Sequence, residues 1–153
     1  MAKVKNRISL VVQEGVLKSY FPGSRILRKN ETNLLWEYEL TPTPLSRTYK
    51  VKLTYSKGVG VKFYVLEPNP LPKAPGETFL PHVYSTAEQR LCLYYPKDNE
   101  WTPNMLFAKT IIPWACEWLL HYELWVMTGK WHGGGIEHNT DSDKVENESN
   151  EEK

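Results

Sequence analysis

The segment PHVYSTAEQRLCLYYPKDNEWTPNMLFAKTIIPWACEW, residues 81–118, joins an apolar cysteine run to the start of a long apolar helix. Cys92 sits within Leu91-Cys92-Leu93-Tyr94-Tyr95, a short run ended by the turn residues Pro96-Lys97-Asp98-Asn99. Across residues 104–127, Leu106, Ile111, Trp114, Trp118, Tyr122 and Trp125 recur three to five apart, which predicts a core helix. Thr102-Pro103 has the form of an N-cap followed by Pro at the first helical position. Pro113 is expected to bend the helix or divide it in two, and Gly129 to end it. Such a helix needs a large apolar surface to cover.

That surface is readable upstream. ISLVVQEGVLKSY, residues 8–20, sets Leu10, Glu14 and Leu17 at helical intervals toward Phe21, and Phe21-Pro22-Gly23 stops it. ILRKNETNLLWEYEL then reads as a hairpin turning at Asn30-Glu31-Thr32-Asn33, with Leu34, Trp36 and Tyr38 alternating against Glu37 and Glu39. TYKVKLTY puts Tyr49, Val51, Leu53 and Tyr55 on one face, and Ser56-Lys57-Gly58 turns into VGVKFYVL, a second hairpin. The expectation is an α+β domain: a four-stranded antiparallel meander, half-buried and covered by an N-terminal and a long C-terminal helix. Residues 67–81, EPNPLPKAPGETFLP, hold five prolines and a glycine, so they form neither helix nor central strand. With Leu71, Phe79 and Leu80 among them, they should lie on the body as an ordered loop that delivers the chain to His82.

Composition bounds the function. Residues 137–153, EHNTDSDKVENESNEEK, contain seven of the 18 acidic residues and two of the 19 basic ones, so they read as a solvated, disordered tail. The body, residues 1–136, is left with 17 basic against 11 acidic residues and suits an acidic partner. Its Lys and Arg are scattered, from Lys3, Lys5 and Arg7 to Lys50, Lys52 and Lys62, which argues for a solvated surface rather than nucleic-acid binding. No run reaches the roughly 20 apolar residues of a membrane span, and MAKVKNR lacks the apolar core of a signal peptide, so a cytoplasmic protein is expected. Two cysteines without CxxC or Cys/His spacing make neither a disulfide framework nor a zinc site. His121, His132 and His138 match no common metal spacing, and Gly133, Gly134 and Gly135 read as a flexible joint.

Residues 81–118 resemble the active-site region of ubiquitin-conjugating enzymes, in which a His-Pro-Asn motif precedes a Cys in an LCL-type run, followed by Trp-x-Pro and a long helix. His82 and Cys92 are ten apart, the family's spacing, and Trp101-Thr102-Pro103 follows at nine, one more than is common. The resemblance implies a UBC-like fold and Cys92 as nucleophile. The position matching the family's Asn is Tyr84, so the side-chain amide credited with stabilising the oxyanion or ordering the loop is replaced by a phenol. The W-x-x-x-W-L-L-x-Y-E-L-W pattern from Trp114 to Trp125 and the altered motif resemble the stand-alone conjugating-enzyme-like proteins of CBASS-type bacterial anti-phage operons. That resemblance implies a cGAS-like nucleotidyltransferase as partner. Its C-terminal glycine would be carried on Cys92 as a thioester and passed to an amine, with no metal or organic cofactor.

The chemistry of the residues agrees with an acyl carrier. A thiol attacks carbonyls near neutral pH because a few per cent is already thiolate at its unperturbed pKa of about 8.5. No Ser/His/Asp set or glycine-rich phosphate loop competes with it. A cysteine between leucines is ordinarily a small buried hydrophobe, the reading kept for Cys116; the spacing to His82 and Trp101 sets Cys92 apart. His82 is expected to hold the loop by a structural hydrogen bond rather than to move a proton. Leu91, Leu93 and Trp101 are the candidate contacts for the incoming tail, Trp101 equally a packed lid. Two alternatives stay open: a non-catalytic adaptor that binds the partner, and a thiol hydrolase that trims its tail.

Overall fold

The computed structural model describes residues 7–133. The boundary expected at residue 136, the acidic tail 137–153 and His138 lie outside the described residues. The elements are α1 (Leu10–Tyr20), β1 (Arg25–Lys29), β2 (Asn33–Leu40), β3 (Tyr49–Ser56), β4 (Gly60–Glu67), β5 (Val83–Ser85), β6 (Arg90–Leu91) and α2 (Ile111–Thr128), with single 3-10 turns at Pro96–Asp98 and Phe107–Lys109. The α+β class holds, with an N-terminal helix, an antiparallel sheet and a C-terminal helix.

The sheet has six strands rather than four, in the order β1-β2-β3-β4-β6-β5, all neighbours antiparallel. The two unforeseen strands are three and two residues long, too short to show an alternating pattern. They extend the sheet past β4, where Phe63 faces Leu91 and Tyr64 faces Arg90. Alternation builds the core: Leu34 and Trp36 from β2, Tyr49, Val51, Leu53 and Tyr55 from β3, and Val61, Phe63 and Val65 from β4 are all buried. Against them α2 sets Ile111, Ile112, Ala115, Trp118, Leu119, Tyr122 and Trp125.

The expected helix over 104–127 starts later. Thr102 and Pro103 belong to a turn in which Met105 N–H donates to the Thr102 carbonyl (3.0 Å), and Thr110 is the residue before α2. Pro113 is the third helical residue, within the first turn, where its missing N–H has no intrahelical acceptor to lose. The break therefore falls upstream of Pro113, and α2 runs on uninterrupted from it to Thr128. Gly129 ends α2 at φ +79°, its N–H donating to the Trp125 carbonyl (2.7 Å).

In α1 the buried face is Leu10, Gln13 and Leu17; Glu14 instead pairs with Arg28 (2.7 Å) and Lys18 (3.4 Å). Gln13 can be buried because both ends of its amide are bonded: Nε2 donates to the Met105 carbonyl (2.9 Å) and Oε1 accepts from Phe107 N–H (3.0 Å). The first N–H groups of α1 are satisfied from two sides. Ser9 Oγ accepts from Val12 (3.3 Å), and the Glu31 carboxylate, from the β1–β2 turn, accepts from Leu10 (2.7 Å) and Val11 (3.2 Å). An anion at a helix N-terminus that also bonds its free donors is worth about 1 kcal/mol. Glu31→Gln is expected to lower stability by about that much, read as a shift of the urea midpoint, and Glu31→Asp, too short to reach both groups, by a similar amount.

Candidate active site

The proline-rich loop before the site lies on the body as expected: Leu71, Ala74 and Leu80 are buried in the core. It is fastened by Gln89, which is 1% exposed. Gln89 Oε1 accepts from Leu71 N–H (2.7 Å), and its Nε2 donates to the carbonyls of Val65 (2.9 Å) and Pro68 (3.0 Å). One side chain thus ties β4, the loop and the approach to β6 together.

Cys92 follows β6 directly and is 8% exposed. Its N–H donates to the His82 carbonyl (3.2 Å), which also accepts from Trp118 Nε1 of α2 (2.9 Å). His82 has φ +51°, a left-handed conformation that a non-glycine residue holds only when its surroundings impose it. The two donors on its carbonyl do so, and the imidazole stacks on Trp131 with centroids 4.9 Å apart. It is the His82 backbone carbonyl that joins the Cys92 loop to α2. Gly133 closes this corner: a Cβ there would come 2.6 Å from Trp131 Nε1 and 2.9 Å from His121 Cδ2, so the position admits only glycine without a shift.

The sulfur of Cys92 donates to the Tyr94 carbonyl (3.3 Å), and the Tyr84 hydroxyl reaches the same oxygen (3.4 Å). Thiol and phenol converge on one acceptor, beside each other. Burial, then hydrogen bonding to Cys92, pushes the Tyr84 phenol well above the ordinary tyrosine range, so it stays protonated at any physiological pH. Tyr84 is thus a neutral hydrogen-bond donor beside the sulfur. Arg90 covers it, the guanidinium carbon 4.3 Å from the Tyr84 ring centroid. Tyr94 is likewise pushed up by burial, against the pull of Arg90.

The sequence-derived tail contacts fall in different settings. Leu91 is in the core, between Phe63 and Val83 in the sheet. Leu93 is half-buried and, with Tyr84, Arg90 and Tyr94, lines a cavity of about 120 Å³ next to the cysteine. Trp101 is 8% exposed, stacked on Phe107 at 5.5 Å, with its Nε1 donating to Thr110 Oγ1 (3.1 Å). Cys116 is half-buried on α2 and its thiol is pushed up by burial first and by Glu117 second.

Sequence reasoning missed Arg90, the Tyr94 carbonyl and Trp131. Only Arg90 left a trace: two residues before Cys92, it falls on the same side of an extended run. Among the described residues no group of three His, Cys, Asp or Glu is placed to hold a metal ion, and no helix is long and apolar enough to cross a membrane.

No curated protein matches the chain. A family described as Type II CBASS E2 protein matches residues 13–139, a span that includes the sheet, the cysteine loop and α2. The protein belongs to this Type II CBASS E2 family, and with that membership comes a role in CBASS anti-phage signalling alongside the system's other components.

Proposed function

We propose that the protein is a ubiquitin-conjugating-like acyl transferase with a UBC-type fold, carrying the C terminus of a partner protein on Cys92 and passing it to a lysine amine. The observation behind this is the convergence of the Cys92 sulfur and the neutral Tyr84 phenol on the Tyr94 carbonyl. In the first step the thiolate bonds to a carbonyl carbon of the tail and the group on that carbon departs, either an adenylate installed by a separate activating enzyme that spends ATP or, in a peptide-bond exchange, the amine of the segment that follows, which takes up a proton. In the second an amine attacks that carbon, the C–S bond breaks, and the thiolate is regenerated as the amine loses its proton. Both steps put negative charge on the carbonyl oxygen, and the Tyr84 O–H, beside the sulfur, is the donor that turns from the Tyr94 carbonyl to meet it. His82 holds the Cys92 backbone, Leu91 and Trp101 form the packed floor, and Leu93 borders the space for the tail. No metal or organic cofactor takes part.

The donor is a cGAS-like nucleotidyltransferase, whose modification would regulate cyclic-nucleotide signalling against phage. The +6 body charge suits a tail or surface of acidic character. The adaptor alternative draws on one fact, that Cys92 is 8% exposed with its thiol bonded to its own loop. Incubating the protein with the nucleotidyltransferase of its own operon, alone and with ATP and the operon's activating enzyme, followed by electrophoresis with and without reductant, separates the two. The expected result is a reductant-sensitive adduct with wild type and Cys116→Ser and none with Cys92→Ala, its mass that of a thioester. Stable binding with no adduct in any variant would replace transfer by the adaptor reading.

A further inference from the structure

The β5–β6 pairing skips Tyr84: Val83 faces Leu91 and Ser85 faces Arg90, with an irregular register between them. A residue skipped in this way is re-aimed out of the ladder, and its direction has to be held by something other than cross-strand pairing. Arg90 is placed to do that. Its guanidinium carbon lies 4.3 Å from the Tyr84 ring centroid, and a flat cation at that distance over an aromatic face is attracted to it. Among the described residues Arg90 makes no ion pair and its buried Nε has no hydrogen-bond acceptor, so neither a carboxylate nor a carbonyl accounts for its position. What the stack fixes is the ring whose hydroxyl meets the Tyr94 carbonyl beside Cys92 Sγ.

We propose that Arg90 is a positioning residue for Tyr84: its guanidinium clamps the ring so that the phenol O–H points to where charge develops on the thioester carbonyl. The proposal rests on the reading of Tyr84 as the oxyanion donor. It differs from two other roles for the same side chain. If Arg90 gripped the donor tail from the cavity wall, its loss would raise the donor concentration needed for half-maximal rate. If it only held the edge of the sheet, its effect would add to that of any change at Tyr84.

A double-variant comparison of single-turnover discharge of the adduct tells these apart. Arg90→Gln is expected to slow discharge about tenfold at unchanged half-saturation, with no further slowing when added to Tyr84→Phe. A tenfold effect that persists in the Tyr84→Phe background, or a rise in half-saturation instead of a fall in rate, overturns it. Should Arg90→Gln not fold, Arg90→Lys keeps the charge but not the flat stacking face, and the same comparison applies. A second measurement needs no turnover. In protein labelled with 13C at the tyrosine Cζ, with Tyr84 identified by Tyr84→Phe, Cys92→Ala is expected to move the Tyr84 resonance. In an Arg90→Gln background that response should vanish; its survival overturns the proposal even if no adduct ever forms.

Discussion

Tyr84→Phe is expected to slow both loading and discharge of Cys92 by about a hundredfold while leaving the fold intact, the usual cost of removing one donor from a developing oxyanion. The change deletes a single oxygen from a half-buried ring that keeps its contact with Arg90. Its pH dependence carries the mechanism. Because burial and the Cys92 hydrogen bond hold the phenol well above its ordinary range, it is protonated throughout the working range and acts only as a donor. The ratio of wild-type to variant rate should therefore stay flat from about pH 6 to about pH 9. A ratio that collapses toward one at either end would assign Tyr84 a proton transfer instead, and a ratio near one throughout would leave the oxyanion without its proposed donor.

The largest stability effect belongs to Gln89. Gln89→Leu fills the same space but leaves the Leu71 N–H and the Val65 and Pro68 carbonyls without the partners they have now. Each buried polar group so orphaned costs about 1–3 kcal/mol, and because water can reach part of the loop the sum is expected at about 3–5 kcal/mol. Against a total of about 5–15 kcal/mol for a domain of this size, that threatens folding at 37 °C. Urea denaturation followed by tryptophan fluorescence measures it. Loss of less than about 1 kcal/mol would mean that burial of Leu71, Ala74 and Leu80 docks the loop without help. Gln89→Glu should be no better, since it loses the donor to two carbonyls and brings a charge into a buried position.

Much of the chain was legible without coordinates, for reasons particular to each segment. Tyr49, Val51, Leu53 and Tyr55 alternate with polar residues for a full eight-residue strand, and period two has one structural meaning at that length. The end of α2 was equally plain, because Gly129 adopts the left-handed conformation that other residues resist. The start of α2 was not. Residues 104–110 carry the same apolar spacing as the helix proper, and the choice of a 3-10 turn there follows from Gln13, 94 residues away, which takes the Phe107 N–H. Local propensity cannot register an acceptor so distant in sequence.

The same division runs through the site. By itself the sequence determined which thiol to consider, since the spacing of His82, Cys92 and Trp101 is a property of the chain order, and it determined that a phenol, Tyr84, follows His82 by two residues. Only the tertiary structure decided what surrounds them. The short strands β5 and β6 exist because β4 offers them an edge, and their uneven register turns Tyr84 toward the sulfur and under Arg90. The His82 backbone conformation is held by an indole from α2 and by Cys92 itself, two groups brought together by the packing of the helix on the sheet. Periodicity reports which face of an element is apolar; which side chains meet across elements depends on how those faces pack, and that is settled by the whole fold at once.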